Sequence, residues 1–406
     1  MEIISGGVTA AQGFLAAGIA SGIKKSGRDM AMLYSSVPCR AAGTFTTNIV
    51  KAAPVLWDRR IVHEKGIAQA CVMNSGIANA CTGEEGIRAC RQIAGEAGLA
   101  LGIPSDYILT ASTGVIGRQL PVDIMKKGIR DMVPLLSDSE AAGTAAATAI
   151  MTTDTKKKEI AVNLTLGGRK ITIGGMSKGA GMIHPKMCTM LAFITTDAAV
   201  SQPMLQKALS ASVEESFNMI SVDGDTSTND TCILLANGLA GNSEITEEDS
   251  DFLAFCEGLD FVTRWLARHM AADGEGATAL LEAKVIGAES RAQAKVLAKS
   301  IITSNLVKTA IAGHDANWGR VLCAMGYSGA SFDPEKVDLY FESAAGKIKI
   351  IGDGVDTGYS EEEATRILSE KEITVTADIK MGQESAIAWG CDLTHGYISI
   401  NADYRS

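Results

Sequence analysis

The residues with the most chemical potential lie in one run: Lys178, Gly179, Ala180, Gly181, Met182, Ile183, His184, Pro185, Lys186, Met187, Cys188, Thr189, Met190, Leu191, Ala192, Phe193. A glycine-rich loop leads to a small hydroxyl side chain, and an apolar stretch follows at once. Thr189 has two readings. Spacing alone favours a threonine that opens a core strand. The chemical reading is a nucleophile whose own α-amine is the general base. That requires a cut between Cys188 and Thr189, because only an N-terminal residue carries the amine. An α-amine has a reference pKa near ~7.7 to 8.0, so a usable share is neutral at physiological pH. It sits close enough to take the hydroxyl proton, and no separate histidine is then needed.

A second polar run, Asp223 to Thr231, is made of consecutive small or polar residues ahead of an apolar stretch. Its start resembles a calcium loop. However, Thr228 stands where such a loop needs glycine and Leu234 where it needs glutamate, so the calcium reading fails. A structured polar site or a hydrogen-bonded turn is expected instead. The other stock motifs fail too. There is no GxxxxGK[ST] phosphate loop, and His63-Glu64 lacks the second histidine of HExxH. The histidines at 63, 184, 269, 314 and 395 are scattered and no CxxC occurs, so no protein-held metal is expected. The nine cysteines are odd in number and read as thiols of a reducing compartment, the cytoplasm.

The elements that must position these residues belong to an ordinary globular chain. It has 406 residues, 46% hydrophobic and 21% charged. A net charge of -10 argues against a nucleic-acid partner. Lys156-Lys157-Lys158, the densest basic run, reads as a solvated turn. No leader pattern and no long unbroken apolar stretch point to a membrane. Residues 8–25 are Ala-rich and read as including a short helix. Strands are expected at 30–36, 68–73, 107–111, 190–195 and 279–286, with a hairpin over 160–173 turned at Gly167-Gly168. Helical spacing marks 83–99, 121–134, 141–150, 202–219, part of 246–271, 291–302 and 360–369. Further strands are expected at 336–341, 346–351 and 371–377. The class is α/β. Glycine is over-represented, at 42 residues, and proline is scarce, at 8. That combination predicts tight turns and close backbone approaches.

Ten short blocks, in order along nearly the whole chain, carry a resemblance. They include Ala42 to Asn48, Asn74 to Gly83, Ser112-Thr113-Gly114-Val115-Ile116-Gly117 and Met151-Thr152-Thr153-Asp154-Thr155. Further on come Asp223 to Thr231, Asp273 to Thr278, Leu306 to Ala310, Asn317 to Arg320, Trp389 to Leu393 and Asn401 to Tyr404. With the run ending at Thr189 they resemble the ornithine acetyltransferase family, the glutamate N-acetyltransferases of the cyclic arginine pathway.

That resemblance implies a layered α-β-β-α fold that cleaves itself and uses an N-terminal threonine. The cut would give an α chain of residues 1–188 and a β chain of 189–406, assembling as α2β2. It implies acetyl transfer from N-acetylornithine to glutamate through an acetyl-Thr189 ester, with no bound cofactor. Acetyl-CoA is implied as a further acetyl donor. Thr113 and Gly114 would form the oxyanion hole. Thr152, Lys178, Thr189, Glu275, Asn401 and Ser406 would bind substrate. Cys188 stands where the family commonly has alanine, and Ala279 where lysine is common. Two rival functions remain at this point. One is a self-cleaving threonine amidohydrolase or aminopeptidase; the other is an uncleaved, non-enzymatic binding protein.

Overall fold

The computed structural model describes residues 1–184 and 190–402. They form two compact units. The first comprises Met1–Met182, Asp225–Leu266 and the described part of Lys186–Asn218; the second comprises Ile183 and His184, Met219–Gly224 and the chain from Ala267 on.

In the first unit the strands are β1 (Glu2–Ile4), β2 (Phe14–Ile19), β3 (Met30–Phe45), β4 (Ile67–Ile77), β5 (Ile108–Val115), β6 (Lys158–Leu166), β7 (Arg169–Lys178), β8 (Leu191–Thr196) and β9 (Thr231–Ala236). The helices are α1 (Ala53–Arg60), α2 (Gly83–Leu101), α3 (Val122–Met132), α4 (Glu140–Ala149) and α5 (Gln202–Glu214). A sixth, α6 (Ser250–Ala272), runs on past Leu266. Among the described residues the strands make one sheet in the order β1-β6-β7-β8-β9-β3-β4-β5, with β2 paired to β3 off that path.

Strand β3 serves three neighbours because its register shifts between Tyr34 and Cys39. Its first part is antiparallel to β2 and β4, and its last part, Arg40 to Phe45, is antiparallel to β9. Met30, Ala31, Met32 and Leu33 are all buried, as a strand covered on both faces requires.

Strands β4 and β5 are parallel, so they need a crossover, and α2 supplies it. The spacing of Ile87, Cys90, Ile93, Ala94 and Ala97 predicts the buried face of α2; the last four are buried and Ile87, nearest the helix start, is half-buried. The helix stops at Gly102, a left-handed cap with φ +70 whose N–H donates to the Gly98 carbonyl. The parallel register carries Ser75 beside Thr113 and Gly76 beside Gly114, at the carboxyl ends of both strands. The β6–β7 hairpin turns at Gly167 and Gly168, both with positive φ, and delivers Lys178 to the end of β7.

The second unit has β10 (Leu280–Ala288), β11 (Asp338–Ser343), β12 (Gly346–Gly352), β13 (Val355–Asp356), β14 (Glu372–Asp378) and β15 (Glu384–Cys391). Its helices are α7 (Arg291–Thr303), α8 (Asn305–Ala312), α9 (Trp318–Gly326), α10 (Glu361–Leu368) and α11 (His395–Ala402). The sheet order is β13-β12-β11-β14-β10-β15, with β10 parallel to β14 and antiparallel to β15. Ser290 caps α7 as its position predicts, its hydroxyl accepting from the Gln293 N–H at 3.2 Å. No described helix is long and apolar enough to cross a membrane.

The α/β class expected from the sequence is the one observed. Two local expectations are corrected. Residues 8–25 contain no helix; their regular element is β2. Its Phe14, Ala16 and Ala17 are buried, and at Gly18 a Cβ would fall 2.2 Å from the Ala145 carbonyl oxygen of α4. Close packing on α4 and pairing with β3 outweigh the helical preference of alanine. Lys158 is not solvated either: it opens β6 with its side chain 2% exposed, ion-paired to Asp154.

Candidate active site

In the first unit, four of the expected site residues come together. Thr113 and Gly114 end β5. Gly114 has φ +128, and a Cβ there would sit 2.3 Å from the carbonyl carbon of Gly76, so only glycine fits. The preceding residue, Ser112, is anchored twice. Its hydroxyl donates to Asn74 Oδ1 at 2.7 Å, and its carbonyl accepts from Asn229 Nδ2 at 2.8 Å. Asn229 Nδ2 also reaches the Ala78 carbonyl at 2.6 Å. The polar run before β9 is thus a hydrogen-bonded turn that fixes the end of β5. Thr46 secures the same turn through the Ser227 carbonyl, at 2.7 Å.

Lys178 is buried, and its Nζ donates to Thr113 Oγ1 at 3.4 Å. An ammonium cannot accept, so the Thr113 oxygen is the acceptor and its own hydrogen stays available for another group. Asp154 organises the surroundings. Its Oδ1 accepts from Lys158 Nζ at 2.7 Å and from the Gly179 N–H at 2.6 Å. Its Oδ2 accepts from the Thr152 N–H at 3.1 Å and lies 4.0 Å from Lys178 Nζ. Burial alone would push the Asp154 carboxyl up. The Lys178 and Lys158 charges, the Lys158 hydrogen bond and the Gly179 N–H outweigh burial and bring it down to about 2. Thr152 and Lys178 therefore share one buried carboxylate, in a neighbourhood with more ammonium groups than carboxylates. Such a place suits an anionic substrate group.

In the second unit, Glu275 and Asn401 meet: Asn401 Nδ2 donates to Glu275 Oε2 at 2.7 Å. The turn bearing Glu275 is forced close to its neighbours. A Cβ at Gly276, where φ is +70, would fall 2.3 Å from the Tyr397 backbone nitrogen, and one at Gly274 would fall 2.6 Å from Cys391 Sγ. The Thr394 hydroxyl holds the Gly276 carbonyl at 2.6 Å. Nearby, Asp223 accepts from the Ile183 N–H at 2.9 Å and from the Tyr397 hydroxyl at 3.2 Å.

Cys188, Thr189 and Ser406 lie outside the described residues. The residue after Thr189 is described: the Met190 N–H donates to Asp230 Oδ1 at 3.0 Å. Asp230 is fully buried, and burial pushes its carboxyl well above the usual range, against the Met190 N–H, Thr46 and Lys178. Among the described residues its Oδ2 has no hydrogen-bond partner. Sequence reasoning gave no individual role to Asp154, Lys158, Asn74, Asn229 or Asp230. Asp154, Asn74, Asn229 and Asp230 all stand inside the quoted blocks, so position in a block was their one available signal. Lys158 carried none beyond its basic run.

A model of the ArgJ family matches residues 15–406. An arginine biosynthesis bifunctional protein ArgJ of Thermotoga neapolitana is 51% identical over 397 residues, covering 97% of this chain and 99% of that protein. Its counterpart in Symbiobacterium thermophilum is 51% identical over 409 residues, covering 100% of both. Among solved structures, the arginine biosynthesis bifunctional protein ArgJ of Bacillus halodurans is 45% identical, with a TM-score of 0.50, and the match covers 52% of this chain and 97% of that one.

Proposed function

The chain belongs to the ArgJ family, and on that premise we propose that it moves an acetyl group from N-acetylornithine to glutamate through an acetyl-Thr189 ester. The observation that carries the reading is the end-to-end match at 51% identity to proteins of that name. The geometry around Thr113 and Lys178 fits the chemistry.

The chemistry runs in two stages. In maturation, Thr189 Oγ attacks the Cys188 carbonyl and the peptide nitrogen becomes a free amine. Water then hydrolyses the resulting ester, leaving a carboxylate on Cys188. Residues 1–188 become the α chain and 189–406 the β chain, assembling as α2β2 in the cytoplasm. The solved relative, whose chain is matched over 97% of its length by about half of this one, supports a two-chain mature form.

In turnover, the Thr189 amine takes the hydroxyl proton as Oγ attacks the acetyl carbonyl of the donor. The tetrahedral oxyanion is held by the Gly114 N–H and by the Thr113 hydroxyl hydrogen, which Lys178 leaves available by occupying the oxygen. Collapse expels the ornithine α-amine, which recovers the proton. The glutamate α-amine then attacks the acetyl ester and releases N-acetylglutamate. Lys178, with Thr152 beside it, takes the α-carboxylate. Glu275, oriented by Asn401, faces the ornithine side-chain amine. Ser406 completes the set of binding residues. No cofactor is held; acetyl-CoA acts as a second acetyl donor, which makes the enzyme bifunctional.

The test is an exchange assay followed by mass spectrometry. N-acetylornithine plus glutamate should give ornithine and N-acetylglutamate faster than free acetate appears. Acetate as the main product would replace this reading with hydrolysis. Acetyl-CoA plus glutamate, run separately, decides bifunctionality.

A further inference from the structure

Lys24 lies in the loop between β2 and β3. Asp29 clamps that loop. Its Oδ1 accepts from the Ser21 N–H at 2.6 Å and the Ser21 hydroxyl at 2.8 Å; its Oδ2 accepts from the Gly22 N–H at 3.0 Å and the Lys24 N–H at 2.9 Å. The clamp fixes the Lys24 backbone while its side chain reaches elsewhere. The stem crosses Gly76, where a Cβ would meet Lys24 Cγ at 2.9 Å. Gly76 is the residue paired with Gly114, so the stem lies against the ladder that carries an oxyanion donor. The ammonium donates to the Met151 carbonyl at 3.1 Å, one residue before Thr152.

An ammonium has three donors, and among the described residues this one donates to a single neutral carbonyl. Partly burying such a cation is unfavourable, and a stem over glycine alone would be served as well by methionine. The charges around it are Asp29, Asp154 and Lys178. Asp29 is occupied by its four donors, and Asp154 by Lys158 and two backbone N–H groups. The donor substrate has one carboxylate and a cationic tail, whereas the acceptor has two carboxylates.

We infer that Lys24 binds the side-chain carboxylate of the acceptor glutamate, Lys178 taking the α-carboxylate. This rests on the acetyl exchange proposed above. Lys24 then favours the dicarboxylate acceptor over amino acids with neutral or cationic tails.

The two half-reactions of the mature enzyme separate the outcomes. Acetyl-enzyme is formed with N-acetylornithine alone and followed by intact mass, then discharged with glutamate or glutamine. Lys24→Met keeps the stem on Gly76 and removes the charge. Its KM for glutamate should rise roughly 10- to 100-fold, the loss of one charge-assisted hydrogen bond. Acetylation by the donor should change little, and the preference for glutamate over glutamine should collapse. Lys24→Arg should restore most of that preference. An unchanged glutamate-to-glutamine ratio in Lys24→Met, or an equal loss in both half-reactions, overturns the assignment. If Lys24→Met fails to mature, Lys24→Arg decides: a preference no better than that of Lys24→Gln overturns it too. Wild-type acetyl-enzyme that glutamate cannot discharge overturns the exchange itself, and the role of Lys24 with it.

Discussion

At the scale of single residues, charge and backbone geometry make opposite demands at neighbouring positions. Asp154 is ionised because two lysines and two N–H groups surround it. At Asp230 burial outweighs the Met190 N–H, Thr46 and Lys178, and pushes the carboxyl well above its usual range. Replacing each by asparagine should therefore give different results. Asp154→Asn leaves Lys158 and Lys178 buried without their carboxylate, and denaturant unfolding should show a loss of about 3 to 5 kcal/mol. Asp230→Asn keeps a neutral acceptor for the Met190 N–H and should cost under about 1 kcal/mol.

The pH dependence follows from the Asp154 shift. Its folded carboxyl, at about 2, lies below the ordinary value of 3.8, so its contribution to stability is present above roughly pH 4. That contribution is lost as pH falls through about 2. Acid unfolding of the wild type should steepen in that window, and Asp154→Asn should flatten it there. Gly114→Ala forces a methyl into the Gly76 carbonyl, and kcat for the exchange should fall by about 10²-fold or more, the scale of losing an oxyanion donor.

At the scale of elements, the sequence revealed those with one strong period and hid those held by partners. The α2 face, the β6–β7 hairpin and the Ser290 cap were legible because local spacing or turn chemistry specified them. Strand β2 was misread because its extended form depends on pairing with β3 and on packing against α4, which is distant in sequence. The helices α1, α8 and α9 are short, between 8 and 9 residues, too short for a period to stand out.

The site divided in the same way. Thr113, Gly114, Lys178 and Glu275 were named as candidates through motif resemblance. Lys24, Asn74, Asn229 and Asp230 act through contacts far apart in sequence, and composition carries no trace of those. Asn229 is the clearest example, tying the turn before β9 to the end of β5. Asn229→Ala should lower kcat more than it raises KM, since it loosens the Ser112 carbonyl next to the proposed oxyanion donors. A change confined to KM would place its role elsewhere.

At the scale of the whole molecule, the two compact units and the two expected chains divide the protein differently. The units alternate along the sequence, whereas the expected cut is a single covalent event between Cys188 and Thr189. Folding as one precursor would place residues from both sides of the expected cut before the bond is broken. The parallel β8–β9 pair starts just after the expected cut, and β7 ends at Lys178 before it, paired to Leu191. Thr189→Ala should therefore fold, remain a single chain and lack exchange activity. Thr189→Ser should still cleave, more slowly. Intact mass and an activity assay on each variant check both outcomes.

The most direct measurement is the mass of the β chain after mixing mature enzyme with N-acetylornithine and no acceptor. A chain beginning at Thr189 should gain one acetyl group, located on that residue by fragmentation and lost on adding glutamate. An uncleaved chain that exchanges acetyl groups, or an acetyl group trapped on a different residue, would contradict it.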